Sequence, residues 1–229
     1  MPEFVRPHHR LIFKVLSELN TDFLSTCQCY FGGGTRIVLE LNEYRESVDV
    51  DLLCADPAGY RQLRQTITQS SLGEICSNKL ELLREVRADM YGIRTYFEVD
   101  SRPVKFELIR EGRINLTSTM IEQSPVPVLS PISCFAEKLL ANADRGADKR
   151  FLSRDLIDLA FMSFHWFDEV FEAGFEQAKE SYGDTVKREL NTALSLFEDK
   201  AYKKSCCTDL GIDDTKTLEK GLMKLRELA

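Results

Sequence analysis

No stretch of the 229-residue chain comes near the roughly 18 uninterrupted apolar residues of a membrane-crossing helix, so no membrane span is expected. The opening MPEFVRPHHR has no basic segment followed by an apolar core, which leaves no secretory signal to read. Metal-binding cysteine spacing is missing as well. The seven cysteines are odd in number and scattered; Cys27 and Cys29 stand one residue apart, Cys206 and Cys207 are adjacent, and neither pair resembles a zinc knuckle. Reduced thiols in a cytoplasmic protein are the expectation. Positive charge is in deficit. Lys and Arg number 30 against 37 Asp and Glu, and the net charge of −7 argues against a protein coated by non-specific DNA, though not against a local basic groove. No internal repeat or low-complexity tract interrupts the chain. At 43% hydrophobic and 29% charged it reads as one large or two small globular domains.

The chemistry sits in the stretch from Tyr30 to Leu53, YFGGGTRIVLELNEYRESVDVDLL. Alternate residues of a strand share a face, so Asp49 and Asp51 point one way and Val48, Val50 and Leu52 the other. Two like charges on one face of a buried strand repel, and a divalent cation is the usual remedy. Mg²⁺ takes oxygen ligands and is often held by one or two carboxylates together with substrate phosphates. Upstream, the N–H groups of Gly33, Gly34 and Thr35 at an expected helix N-terminus form an anion site. No Gly-Lys-Ser/Thr follows the glycines, so this is not a P-loop.

Around this stretch the spacing predicts a helix over His8–Leu24, a strand over Gln28–Phe31, and a helix from Thr35 to Leu41 with Thr35 as N-cap. A second strand is expected over Ser47–Cys54 and a helix over Gly59–Gln69. His8 and His9 have no third ligand nearby and read as a solvated helix start. From Leu80 to Thr119 three β-rich runs alternate with turns. In the third, Lys105, Glu107 and Ile109 share a face. Periodicity alone leaves open whether Glu107 faces the same side as Asp49 and Asp51 or sits on an ordinary exposed strand face. Prolines 125, 127 and 131 mark an extended connector, poor for a central strand. Beyond it come helices over Pro131–Ala143, Ser153–Trp166, Phe167–Glu180, Thr185–Leu196 and Thr215–Leu228. The expected class is α+β, with an α+β lobe over residues 1–124 and a helical lobe over residues 125–229. Two basic sets stand out: Arg145, Lys149, Arg150 and Arg154 lie within ten residues, the richest candidate for a local groove. Arg84, Arg87, Arg94, Arg102, Lys105, Arg110 and Arg113 spread over the strands and read as a solvated face.

Gly33-Gly34-Thr35 followed after thirteen residues by Asp49-Val50-Asp51 resembles the signature of the polymerase-β-like nucleotidyltransferase superfamily. FAEKLLANADRG followed by SRDLIDLAFM resembles the downstream block of nucleotidyltransferase toxins of the AbiEii/AbiGii type. Together the two blocks cover about Phe31 to Met162; the last sixty residues add only helical character. The resemblance implies a polymerase-β-like lobe with a mixed sheet, and a helical lobe that completes the nucleotide cleft. It implies that Asp49, Asp51 and Glu107 ligate Mg²⁺ (or Mn²⁺) and act as the catalytic acids. Gly33, Gly34 and Thr35 would hold the triphosphate of an NTP, with Arg36 either helping or solvated. Lys138 would contact nucleotide phosphate, and Arg154 and Asp155 match the family's Arg-Asp pair. Asp158 follows Arg154 by one helical turn and is placed to pair with it. Many relatives have Asp where Glu107 stands, and Ser where Thr35 stands.

The activity so implied is Mg-dependent nucleotidyl transfer to an RNA, such as a tRNA 3′ end, or to a protein, with release of pyrophosphate. Asp51 or Glu107 would accept the acceptor proton. A toxin of a toxin–antitoxin or abortive-infection system, countered by an antitoxin, is the biological form. Two other readings stay open: a catalytically inactive nucleotide- or partner-binding protein of the same fold, and an antitoxin-like or structural interaction protein working through its helices.

Overall fold

The computed structural model describes residues 2–77 and 79–228 in two compact units. One comprises the residues up to Glu40 together with Ser47–Ser130; the other comprises Leu41–Glu46 with the residues from Pro131 onward.

The first unit is built on a mixed sheet of eight strands. They are β1 (Cys29–Phe31), β2 (Asp49–Cys54), β3 (Glu81–Leu82), β4 (Arg87–Ala88), β5 (Gly92–Val99), β6 (Arg102–Arg110), β7 (Ser118–Thr119) and β8 (Val128–Leu129). Their order is β3-β5-β6-β2-β1-β8-β7, with β4 also on β5. β2 runs parallel to β6, and β1 parallel to β8; the other pairs are antiparallel. The long β5–β6 hairpin turns on Asp100 and Ser101, both with positive φ, as a two-residue primed turn requires. Strict alternation buries Ile93, Phe97 and Val99 on β5 and Val104, Phe106 and Leu108 on β6.

Four helices accompany the sheet: α1 (Pro7–Ser17), α2 (Thr21–Thr26), α3 (Gly33–Glu40) and α4 (Pro57–Gln65). The single helix expected over residues 8–24 is two. Asn20 breaks it, because its side chain accepts from the Phe23 amide as the cap of α2 while its own amide donates to Ile75. α4 starts on Asp56, whose carboxylate accepts from the amides of Ala58 and Gly59, and it ends before Gln69, at Gln65. Leu11, Ile12, Val15, Leu16, Tyr60 and Leu63 of α1 and α4 join Val50, Leu52, Phe106 and Leu108 in one core. The proline-rich connector departs from expectation. Val128–Leu129 is a strand between β1 and β7, and the Pro127 carbonyl accepts from Phe31 N. The prolines fall at positions where no ladder N–H is needed, so they flank pairing instead of preventing it.

The second unit is helical: α5 (Pro131–Arg145), α6 (Arg154–His165), α7 (Asp168–Tyr182), α8 (Thr185–Leu196), α9 (Lys200–Asp209) and α10 (Thr215–Leu228). α5 packs on α6, α7 and α8, and α6 on α10. Gly221 lets α10 approach α6 so closely that a Cβ there would meet the Ala160 carbonyl. α9 escapes periodicity because KAYKKSCCTD buries only Cys206 and Cys207; the Asp199 carboxylate starts it by capping Ala201 and Tyr202. Leu41–Glu46 joins this unit through Tyr44, whose ring stacks on Phe161 at 3.8 Å. All seven cysteines are free and buried.

Candidate active site

Parallel pairing of β2 and β6 sets Asp51 beside Glu107 and Asp49 beside Lys105. Since Val50, Leu52, Phe106 and Leu108 enter the core, the four charged residues share the opposite face. Alternation in the folded sheet thus puts Glu107 on the side of the two aspartates. Glu107 is well occupied there. Its Oε2 accepts from Lys105 Nζ at 2.5 Å, and its Oε1 accepts from Nε of Arg94, its register partner on β5, at 3.1 Å. Burial would lower the Lys105 ammonium's pKa, but Glu107 first, then Asp49 and Asp51, outweigh it and raise it.

Among the described residues no three metal-ligating side chains stand close enough, as placed, to hold an ion. The donor set nevertheless fits a hard divalent cation. It consists of carboxylate oxygens only, on one face of adjacent strands, and it already draws a positive charge in the Lys105 ammonium.

The glycine turn abuts these acids. Gly32 N donates to the Asp51 carbonyl at 2.8 Å, and Gly33 has φ +66°. A Cβ at Gly33 would run into the Asp51 carboxylate, so this position needs glycine both for its backbone and for its neighbour. α3 begins here, and the first N–H groups of a helix lack intrahelical acceptors.

Two residues expected at this turn face elsewhere. Thr35 is 1% exposed, and its hydroxyl meets Ser47 Oγ at 2.8 Å, tying α3 to the entry of β2 instead of facing a phosphate. Arg36 is neither solvated nor turned to the anion site. It is fully buried, with Nε donating to the Leu129 carbonyl and the guanidinium paired with Glu40 one turn on. The histidines do not form a solvated helix start either. His9 is buried and its Nε2 accepts from Ser47 N, and the His8 ring bonds the Val48 carbonyl, so both grip the segment leading into Asp49.

Lys138, Arg154 and Asp155 belong to the helical unit. Lys138 Nζ lies 2.9 Å from Asp155 and 2.7 Å from Asp158. Arg145 forks onto Asp155 at 2.6 and 3.0 Å, and Arg45 onto Asp158 at 2.7 and 2.8 Å. The Tyr44 hydroxyl adds a bond to Asp158 at 2.6 Å. Burial would raise both aspartate pKa values; the surrounding cations outweigh it and hold both low. Burial would lower the Lys138 ammonium, and its two aspartates outweigh that in turn. Lys138 therefore fastens α5 to α6, with donors committed to both Asp155 and Asp158. Asp158 takes its cations from Arg45 and Lys138, not from Arg154, whose guanidinium lies over the Phe151 ring.

Arg94, expected on a solvated face, instead donates to Glu107, and the sequence pattern did not point to Tyr44 or Arg45. Lys105 was within reach, since two-residue spacing alone puts it on the face of Glu107. Nothing local signals Arg45, whose partner is 113 residues away.

Comparison with known proteins bears on the fold and the family. Among solved structures, a candidate nucleotidyltransferase from H. pylori superposes with a TM-score of 0.54 at 16% identity, covering 100% of this chain and 96% of that one. JHP933 from Helicobacter pylori superposes with a TM-score of 0.50 at 17% identity, over 96% and 90% of the two chains. Both likenesses are of fold. A search of curated proteins finds no match. A family model described as nucleotidyl transferase AbiEii toxin, type IV TA system, matches residues 14–216, from within α1 to the start of α10. The chain belongs to the AbiEii nucleotidyl transferase toxin family.

Proposed function

We propose that this protein moves a nucleoside monophosphate from an NTP to a hydroxyl of an RNA, such as a tRNA 3′ end, or of a protein, with pyrophosphate leaving. It would act as the cytoplasmic toxin countered by an antitoxin. The observation that carries this reading is the juxtaposition of Asp49, Asp51 and Glu107 on one sheet face with the Gly33 turn against Asp51. Asp49 and Asp51, with Glu107 as third acid, would hold Mg²⁺ or Mn²⁺. When bound, the ion would polarise the α-phosphate and offset charge on the leaving pyrophosphate. The amides at Gly33, Gly34 and Thr35 bind the triphosphate from the helix N-terminus. Asp51 or Glu107 accepts the proton of the attacking hydroxyl through a carboxylate oxygen; on Glu107, Arg94 and Lys105 already donate to the two oxygens. Lys138, Arg145 and Asp155 serve by fixing α5 to α6.

The engagement of Glu107 also favours a second reading, in which the fold binds nucleotide or a partner without turning it over. One experiment separates the two. Purified protein is incubated with each labelled NTP, Mg²⁺, total RNA and cell extract, and its melting transition is followed with metal and NTP. Label entering RNA or protein, lost in the Asp49→Asn, Asp51→Asn variant, supports transfer. Thermal stabilisation by NTP without label transfer supports the binding-only reading. Transfer that survives the double substitution would refute the metal site.

A further inference from the structure

The face of the sheet opposite the carboxylates carries a second feature. α4, the end of β6 and the segment before β5 enclose a concave pocket of about 360 Å³. Tyr60, Arg61, Arg64, Met90 and Arg110 line it, and none of the lining residues is a carboxylate. Arg61 and Arg64 stand at i and i+3, the spacing of neighbours on one helix face. Arg110 keeps the phase of Phe106 and Leu108, and so belongs to the face that α4 covers and not to that of Glu107.

All three arginines are exposed, and among the described residues no carboxylate pairs with any of them. The acids nearby are committed elsewhere. Asp56 caps the N-terminus of α4, and Asp89 accepts from the amides of Tyr91 and Gly92 and from Arg94. In a chain of net charge −7, three like charges have been brought together with no counterion. By contrast, the set that is denser in sequence is half neutralised, Arg145 being held by Asp155 and Arg150 by Asp148, while Lys149 and Arg154 lie over the rings of Tyr202 and Phe151.

An exposed aromatic residue follows Met90 of the pocket lining directly in the chain. Tyr91 is 66% exposed, Met90 is 56% exposed, and the Tyr91 carbonyl accepts from Arg110 N, which fixes the ring's residue beside the third arginine. Guanidinium groups in a groove next to an exposed aromatic ring are what a single-stranded polynucleotide uses. Phosphodiesters meet the cations, and a base stacks on the ring.

We propose that Arg61, Arg64 and Arg110, with Tyr91 beside them, form a docking site for single-stranded nucleic acid, on the sheet face away from Asp49, Asp51 and Glu107. Binding here needs neither metal nor NTP, so it stands or falls apart from the transfer chemistry.

The test is fluorescence anisotropy with labelled 12-nucleotide single-stranded RNA and DNA, without metal or NTP, across 50–300 mM salt. The full chain is compared with Arg61→Ala/Arg64→Ala, Arg110→Ala and Tyr91→Ala, and with Lys149→Ala/Arg150→Ala as a charge-matched control. The arginine variants should weaken binding at least tenfold at low salt and lower the salt slope by about 0.7 for each phosphate no longer neutralised. Tyr91→Ala should weaken binding severalfold with the slope unchanged. The control should bind as the parent does. All these side chains are exposed, so melting temperatures should not move. Absence of binding by the parent at 50 mM salt overturns the proposal, as do arginine variants that match the control. Heparin binding as tight as RNA, with Tyr91→Ala silent, reduces the pocket to a general polyanion site and overturns the nucleic-acid assignment.

Discussion

Replacing Asp158 by Asn keeps the side-chain shape and removes the charge on which two buried cations depend. The carboxylate accepts from the Tyr44 hydroxyl at 2.6 Å, from Arg45 at 2.7 and 2.8 Å, and lies 2.7 Å from Lys138 Nζ. An amide offers one acceptor oxygen and turns two N–H donors toward groups that are themselves donors. Arg45 is left without an anion and Lys138 keeps only Asp155, inside a region where Asp158 is fully buried and Arg45 is 4% exposed. Breaking a buried pair from one side costs about 3–5 kcal/mol, a large share of the roughly 5–15 kcal/mol of a folded domain. At about 2–4 °C per kcal/mol for a chain of this size, the melting temperature should fall by about 6–20 °C. Circular dichroism on heating measures it. The sign with pH follows from the shifts. Asp155 and Asp158 titrate lower in the folded protein than unfolded, so their contribution is present above about pH 4, the unfolded aspartate value, and fades as pH falls below it through the folded values. Lys138 titrates higher when folded, so its share is present below about pH 10.4 and fades as pH rises through the folded value. Asp158→Asn should therefore flatten the acid limb of the stability curve as well as lower its plateau. A variant within 2 °C of the parent at pH 7, with the same acid limb, would show that the network is not what holds α5, α6 and Tyr44–Arg45 together.

Two further substitutions probe the carboxylate face. Gly33→Ala forces a Cβ onto a left-handed residue and against Asp51, so it should cost about 1–2 kcal/mol of stability, read by urea titration, and abolish stabilisation by Mn²⁺ with NTP; full retention of that stabilisation would contradict the fit of the turn to Asp51. Lys105→Met removes the ammonium that occupies the acidic face, and Mn²⁺ titrated with calorimetric or paramagnetic detection should bind up to about fivefold more tightly, the scale of a partly exposed pair. Weaker Mn²⁺ binding would mean that Lys105 positions Glu107 for the metal and does not compete with it.

How far each of these features could be read from the chain depended on the range of the interaction that makes it. Asp49 and Asp51 were legible because strand periodicity and a short glycine-to-acid spacing are local, and the sheet then aligned Glu107 with Asp51 as a parallel neighbour. α9 and β8 were not. One buries too few apolar residues to show a helical stripe, and the other is a two-residue strand whose pairing with β1 is decided by chain nearly a hundred residues away. Charge was the least legible property. Arg36, Arg45 and Arg61 look alike in the sequence, yet the first is buried against Glu40 and Leu129, the second is buried on Asp158, and the third stands in solvent without a carboxylate. Burying a guanidinium is tolerable only where long-range folding delivers an acceptor, so pairing, and not density along the chain, decides which cations remain available. For that reason half of the dense run from Arg145 to Arg154 is spent on carboxylates within the helical unit. The sparser arginines of α4 and β6, one of them in the strand set that read as a merely solvated face, stand together open to an anion.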